Sequence, residues 1–199
     1  VVSEPVIFTT EANDEVIEYE YVDLGLPSGV KWAMHNVGTT YPEGHGDHFA
    51  WGEIEPKATY ESGNCSSNYQ DLGDISGNPL YDAAAAKWGN GWRMPTLEEM
   101  YELTQECTWT WVEDNGIVGY KVTSKTNGNH IFLPAAGFRV NDQLLDKDFF
   151  GYYWMSTPYE EEGAEPTLNK ACFLDMCSYQ FYCNWSLRRN GMTIRPVKD

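Results

Sequence analysis

The stretch GNGWRMPTLEEMYELT, residues 89 to 104, divides the chain into two unlike parts. Gly91-Trp92-Arg93 leads through Met94-Pro95 into a helix start, and Trp92 is expected to be buried. Thr96 stands at the N-cap and Glu99 three residues on, which completes a capping box. Leu97, Met100, Tyr101 and Thr104 then fall on one helical face. Just upstream, PLYDAAAAKWG (79–89) reads as another short helix, with an Asp82 cap, an Ala run and a Gly89 stop. After Cys107 the pattern changes to short β-branched and aromatic runs: VGYKVTS (118–124), HIFLPAAGF (130–138), GYYWMST (151–157), NKACFLDM (169–176), QFYCNWSL (180–187) and MTIRPV (192–197). Asn-Gly at 115–116, 127–128 and 190–191 suits tight hairpin turns. Two short helices followed by a long, loop-rich and mainly antiparallel β half make an α+β protein.

Residues 1–20 are acidic, without a basic residue, and read as an N-terminal arm or linker in which VIFTT (6–10) could form a short strand. The folded domain is expected over 21–199. No apolar run approaches the ~20 residues of a membrane helix. The chain begins without Met and without a signal-peptide pattern, as expected of a mature or trimmed chain whose localisation signal has been removed. A formal net charge of −17 argues against nucleic acid and anionic membranes as partners. The fifteen per cent of aromatic residues supply core and also contact area for a ligand.

Six blocks in order carry a family resemblance: VDLGLPSGVKWAMHNVG (22–38), GDHFAWGEIEPK (46–57), GNGWRMPTLEEMYEL (89–103), NHIFLPAAGFR (129–139), GYYWMSTP (151–158) and RRNGMTIRPV (188–197). Together they resemble the Fibrobacter succinogenes major paralogous domain family over residues 21 to 198. The resemblance implies a C-type lectin-like fold whose terminal strand, in IRPV, pairs with the VKWA region. It also implies a secreted or cell-surface protein of a Bacteroides-type bacterium. Many members of that family have no assigned biochemical function, so the resemblance gives no reaction.

GHGDHFAWGE (44–53) concentrates His45, Asp47, His48 and Glu53, all metal-ligand types. In an extended segment His45 and Asp47 share a face and His48 takes the other. The family pattern has tyrosines where the histidines stand, so the stretch is read as a surface turn rather than a metal site. The five cysteines are an odd count without CxxC spacing. Cys172-x4-Cys177 resembles the copper-binding thiols of formylglycine-generating enzymes, but on an extended strand the two point to opposite faces. A hairpin centred between Cys177 and Ser178 would instead set Cys172 opposite Cys183, close enough for a bond to be considered. The acidic run Glu160-Glu161-Glu162 with Glu165 offers a calcium loop or a solvated one. The absence of DxDxDG favours the latter. No P-loop, GxGxxG or GxSxG motif is present, and no cofactor is expected.

YQFYCNWSLR alternates. Tyr179, Phe181, Cys183, Trp185 and Leu187 form an apolar face, while Gln180, Tyr182, Asn184, Ser186 and Arg188 form a polar one. The polar set is the residue mix of recognition surfaces and is the expected ligand-binding face, with Gln180 at its edge. The expected function is a non-catalytic binding or adhesion module for a glycan or protein. The alternatives are a structural or stalk domain of a surface assembly and, last, a copper-thiol oxidase.

Overall fold

The structure is a computed structural model that describes residues 18–161, 163 and 167–199. The VIFTT segment, Glu162 and Glu165 lie outside the described residues. In chain order the first half holds β1 (Tyr21–Asp23), β2 (Lys31–Ala33), a single 3₁₀ turn (Ser62–Asn64), α1 (Ala83–Trp88), β3 (Trp92–Arg93) and α2 (Leu97–Glu106). The second half holds β4 (Cys107–Asp114), β5 (Ile117–Ser124), β6 (His130–Pro134), β7 (Phe138–Val140), β8 (Gln143–Leu145), β9 (Phe150–Pro158), β10 (Lys170–Cys177), β11 (Gln180–Leu187) and β12 (Val197–Lys198). The sheets run β1-β2-β12-β3, β11-β10-β9, β4-β5-β6 and β7-β8. Every pairing of named strands is antiparallel, and the fold is α+β.

The IRPV and VKWA segments meet as the resemblance implied. Val197 lies opposite Trp32 and Lys198 opposite Lys31. The Ala33 N–H donates to Pro196 O at 2.9 Å and the Val37 N–H to Ile194 O at 3.1 Å, which extends the contact beyond the strands. The buried Arg195 guanidinium fastens this join, donating to Ala33 O, Met34 O, Asn36 Oδ1 and Phe132 O.

Both helix starts follow from local chemistry. Asp82 Oδ1 accepts from the Ala84 and Ala85 N–H groups, and Gly89 ends the helix with φ 58°, a conformation that costs glycine little. Thr96 and Glu99 make the reciprocal capping box. Trp92 is buried as expected. The face of α2 is corrected, however. Met100 and Leu103 are its buried residues and Tyr101 points outward. A step of three leads from Met100 to Leu103, and a step of four from there to the buried Cys107 at the helix end. The stripe joins the core shared by the sheets β4-β5-β6 and β11-β10-β9, and Tyr101 is turned away from it.

Of the three Asn-Gly pairs, the first makes the expected two-residue hairpin. Asp114 pairs with Ile117, and Asn115 and Gly116 both have positive φ, 49° and 81°. Asn127-Gly128 sits in a longer loop, and Gly191 instead forms a bridge with Arg139. The β10–β11 hairpin also corrects the sequence-based register. Cys177 pairs with Gln180, so Ser178 and Tyr179 form the turn. Cys172 then lies opposite Trp185 and Cys183 opposite Leu174. Moving the turn by one residue lets Cys177 be buried and puts Tyr179 at the tip, 76% exposed. That is the better arrangement for a thiol and a phenol.

Candidate functional site

The expected ligand face on β11 is only partly assembled. Gln180 is exposed and Tyr182 is 42% exposed. Tyr182 lies opposite Asp175, whose carboxylate pushes the phenol above its usual range. Burial in turn raises Asp175 itself. Ser186 accepts from Asn190 Nδ2 at 3.0 Å. Arg188 corrects the expectation outright, since it is 1% exposed. Its guanidinium lies 4.2 Å over the Trp51 ring and donates to Ser67 O, Gln70 O and Lys170 O. Strand β11 ends at Leu187, so alternation no longer governs the next residue. Arg188 is a fastening of the loops around Trp51 and offers nothing to a ligand.

Trp185 departs from the expectation in the other direction, with 41% of its surface exposed. Phe181, on the same face, stacks on Trp109 at 4.4 Å and 14°. That cover does not reach Trp185, which is exposed at the mouth of a cleft of about 500 Å³. Cys172 and Cys183 line the cleft, and Tyr101, Tyr159 and Trp185 form aromatic walls. Asp74, Glu160 and Asn184 supply its polar groups, so Asn184 is the one member of the expected site that borders it. The wall is built from α2, the end of β9 and the middle of β11. The Leu97 N–H donates to Thr157 Oγ1, and Thr157 Oγ1 donates to Asp74 Oδ2, which locks helix to strand at the rim.

Lys170 holds Trp185 in place. Its Nζ lies 3.6 Å from the Trp185 centroid and 5.5 Å from that of Tyr159. The two ring centroids are themselves 5.2 Å apart. A triangle with those sides puts Lys170 and Tyr159 on neighbouring rather than opposite sides of the indole. Lys170 is not among the residues that line the cleft. Lys170 thus caps one indole face, while the Trp185 side chain itself lines the cleft.

The thiols of the cleft are inert. Burial pushes Cys172 up to about 11 and Cys183 up to about 12, so both are protonated at neutral pH. Cys177 lies on the opposite face of β10 from Cys172, so those two do not converge on one metal. None of the five cysteines takes part in a disulfide.

The GHGDHFAWGE stretch is only partly a surface turn. His48 is buried, with Nε2 donating to Ala136 O at 3.2 Å, while its own carbonyl accepts from Tyr60 Oη. The bridge between Phe49 and Met192 draws the chain inward here, and with it the ring beside Phe49. Among the described residues no three His, Cys, Asp or Glu side chains gather as metal ligands. Burial pulls His48 down to about 4, well below the 6.5 of an exposed imidazole. The unfolded chain therefore takes up a proton below pH 6.5 that the folded chain refuses. Stability present above 6.5 is lost as pH falls toward 4, by up to about 3 kcal/mol from this residue. Urea midpoints at pH 7, 5 and 4 are expected to fall less steeply in His48→Gln than in the wild type. Parallel slopes would show that His48 does not titrate in this way.

What sequence reading missed is the aromatic wall. Tyr101, Tyr159 and Trp185 come from three separate elements, and only the tertiary fold brings them together. Comparisons with family models, curated proteins and solved structures return no match to the chain.

Proposed function

We propose that the chain is a non-catalytic recognition module of a secreted or cell-surface protein, with a C-type lectin-like fold, and that it holds a neutral glycan in the Tyr101–Tyr159–Trp185 cleft. The resemblance of the six sequence blocks supports the fold and the location. The observation that carries the binding reading is Trp185, an indole 41% exposed that lines the cleft and is capped by Lys170, a residue outside the lining. A large, rigid aromatic surface beside a concave site is an expensive arrangement in water and an effective one for a ligand. The C–H face of a pyranose packs against such a ring. Glu160 and Asn184 at the rim can bond its hydroxyls. Carboxylates at the rim and a chain at −17 disfavour an acidic sugar here. The binding surface moves accordingly from the Tyr182–Arg188 face to the opposite side of β11, with Asn184 shared.

A glycan array, followed by calorimetry on the best neutral ligand, tests the reading. Trp185→Ala is expected to weaken binding by about 2 kcal/mol or more, roughly thirty-fold. Its unfolding midpoint should stay near that of the wild type, since a half-exposed ring contributes little core. Unchanged affinity in Trp185→Ala would place the ligand elsewhere. An array without any ligand would favour a structural domain of a surface assembly.

A further inference from the structure

A second cleft, of about 520 Å³, lies between the His45–Tyr60 segment and the β7–β8 hairpin, and shares no lining residue with the aromatic one. Its lining carries Lys57, Arg139 and Lys147 against one carboxylate, Asp47. That is unexpected in a chain with 13 basic and 30 acidic residues. A concave surface drawn at random from such a chain would be acidic.

The three cations are not equivalent. Lys57 is committed, with Nζ 2.7 Å from Glu53 and donating to Asn64 O at 2.8 Å. Arg139 and Lys147 have no carboxylate partner among the described residues. Their backbones are nevertheless fixed. The Arg139 N–H donates to Gly191 O at 2.7 Å, and the Gly191 N–H returns a bond to Arg139 O at 2.8 Å. Lys147 packs its backbone on Gly137, where a Cβ would come within 2.7 Å of the Lys147 nitrogen. Two of the neighbouring polar side chains are already occupied and one is not. His48 bonds Ala136 O and Tyr60 bonds His48 O, while His45 Nε2, 3.5 Å from Asp148, is buried without a hydrogen bond. Two cations without a carboxylate partner among the described residues, on anchored backbone, therefore flank a space whose other polar side chains are mostly satisfied.

Arg139 and Lys147 against Asp47 leave one net positive charge, with Lys57 matched by Glu53. One charge suits a monoanion. A dianionic phosphate or a polyanion would carry uncompensated charge into the field of a strongly acidic chain. The planar guanidinium fork matches two coplanar oxygens, as a carboxylate presents. Leu144, Pro56 and Ala58 add an apolar wall for the body of the ligand. We infer that this cleft binds a small organic carboxylate monoanion, clamped by the Arg139 guanidinium and the Lys147 ammonium.

The test is titration of the whole chain with acetate, benzoate and glucuronate, read by ¹H–¹⁵N spectra and calorimetry at low and high salt. At least one carboxylate should bind saturably, with shifts at Arg139, Lys147 and His45, and added salt should weaken it. Glucose, the uncharged counterpart of glucuronate, should leave those resonances still. Arg139→Gln, and separately the exposed Lys147→Gln, should each lower affinity about ten-fold or more. Trp185→Ala should leave it unchanged, so failure here is distinguishable from failure of the aromatic cleft. No saturable shift with any of the three carboxylates overturns the inference. So does wild-type affinity in a folded Lys147→Gln or Arg139→Gln.

Discussion

Arg195→Met is expected to cost about 4 kcal/mol or more and to leave much of the chain without fixed tertiary structure. Arg195 is 0% exposed. Its guanidinium donates to Asn36 Oδ1 at 2.8 Å, Ala33 O at 3.0 Å, Met34 O at 2.7 Å and Phe132 O at 2.8 Å. These partners are neutral, so the cation is solvated by carbonyl dipoles rather than paired. Burial pulls its pKa down to about 10, which still leaves it charged at neutral pH. Methionine matches the aliphatic stem but leaves four buried acceptors unpaired, each worth about 1–3 kcal/mol of desolvation. The acceptors belong to β2, the turn after it, and β6, so the loss opens the join between the terminal sheet and the sheet β4-β5-β6. Arg195→Lys keeps the charge with fewer donors and should fall between the two. Urea unfolding followed by near-ultraviolet dichroism measures both. A Met variant as stable as the wild type would show that the buried cation contributes nothing net.

Asp82→Ala should cost about 3–4 kcal/mol, more than the loss of an ordinary helix cap. One carboxylate serves four backbone donors. Oδ1 accepts from Ala84 and Ala85 at 2.9 and 3.0 Å, and Oδ2 from Gly77 and Met94 at 2.8 Å each. It caps α1 and also fixes the strand that leads through Pro95 into α2. Alanine would strand all four N–H groups in a site where Asp82 is fully buried. Burial raises the Asp82 pKa, against the lowering by those four bonds. On that direction the ionised carboxylate is less favoured in the fold, and this residue's own contribution declines as pH rises through its folded value. Asp82→Asn keeps two acceptor contacts and turns an amide against the other donors, so it should recover about half of the loss. Full recovery by Asn would show that charge on the carboxylate is irrelevant.

The two helix starts were legible in the sequence because capping is local chemistry: Asp82, Thr96 and Glu99 lie within three residues of the helix-start N–H groups they cap. The pairing of β12 with β2 was legible only through the family resemblance. Alternation placed Gln180 and Tyr182 correctly in solvent, where strand geometry alone decides. It failed at Arg188 and Trp185, where distant chain decides. The loops that place Ser67 O and Gln70 O around Arg188 come from more than a hundred residues upstream. The cover that ends short of Trp185 comes from Trp109 on another sheet. Hydropathy marks an arginine as exposed and a tryptophan as buried, and both are reversed by partners that no local pattern carries. The register of β10–β11 depended on a single choice of turn residue, and two-residue turns without glycine give little to choose by.

The indole region of a ¹H–¹⁵N spectrum, recorded during titration with the best neutral glycan from the array, tests the central claim most directly. Trp185→Phe assigns the Trp185 Nε1–H signal. The account predicts that this signal moves and saturates with the calorimetric affinity, while those of the fully buried Trp51 and Trp154 stay in place. Saturable binding with a motionless Trp185 signal, and shifts confined to Tyr182 and Gln180, would contradict it.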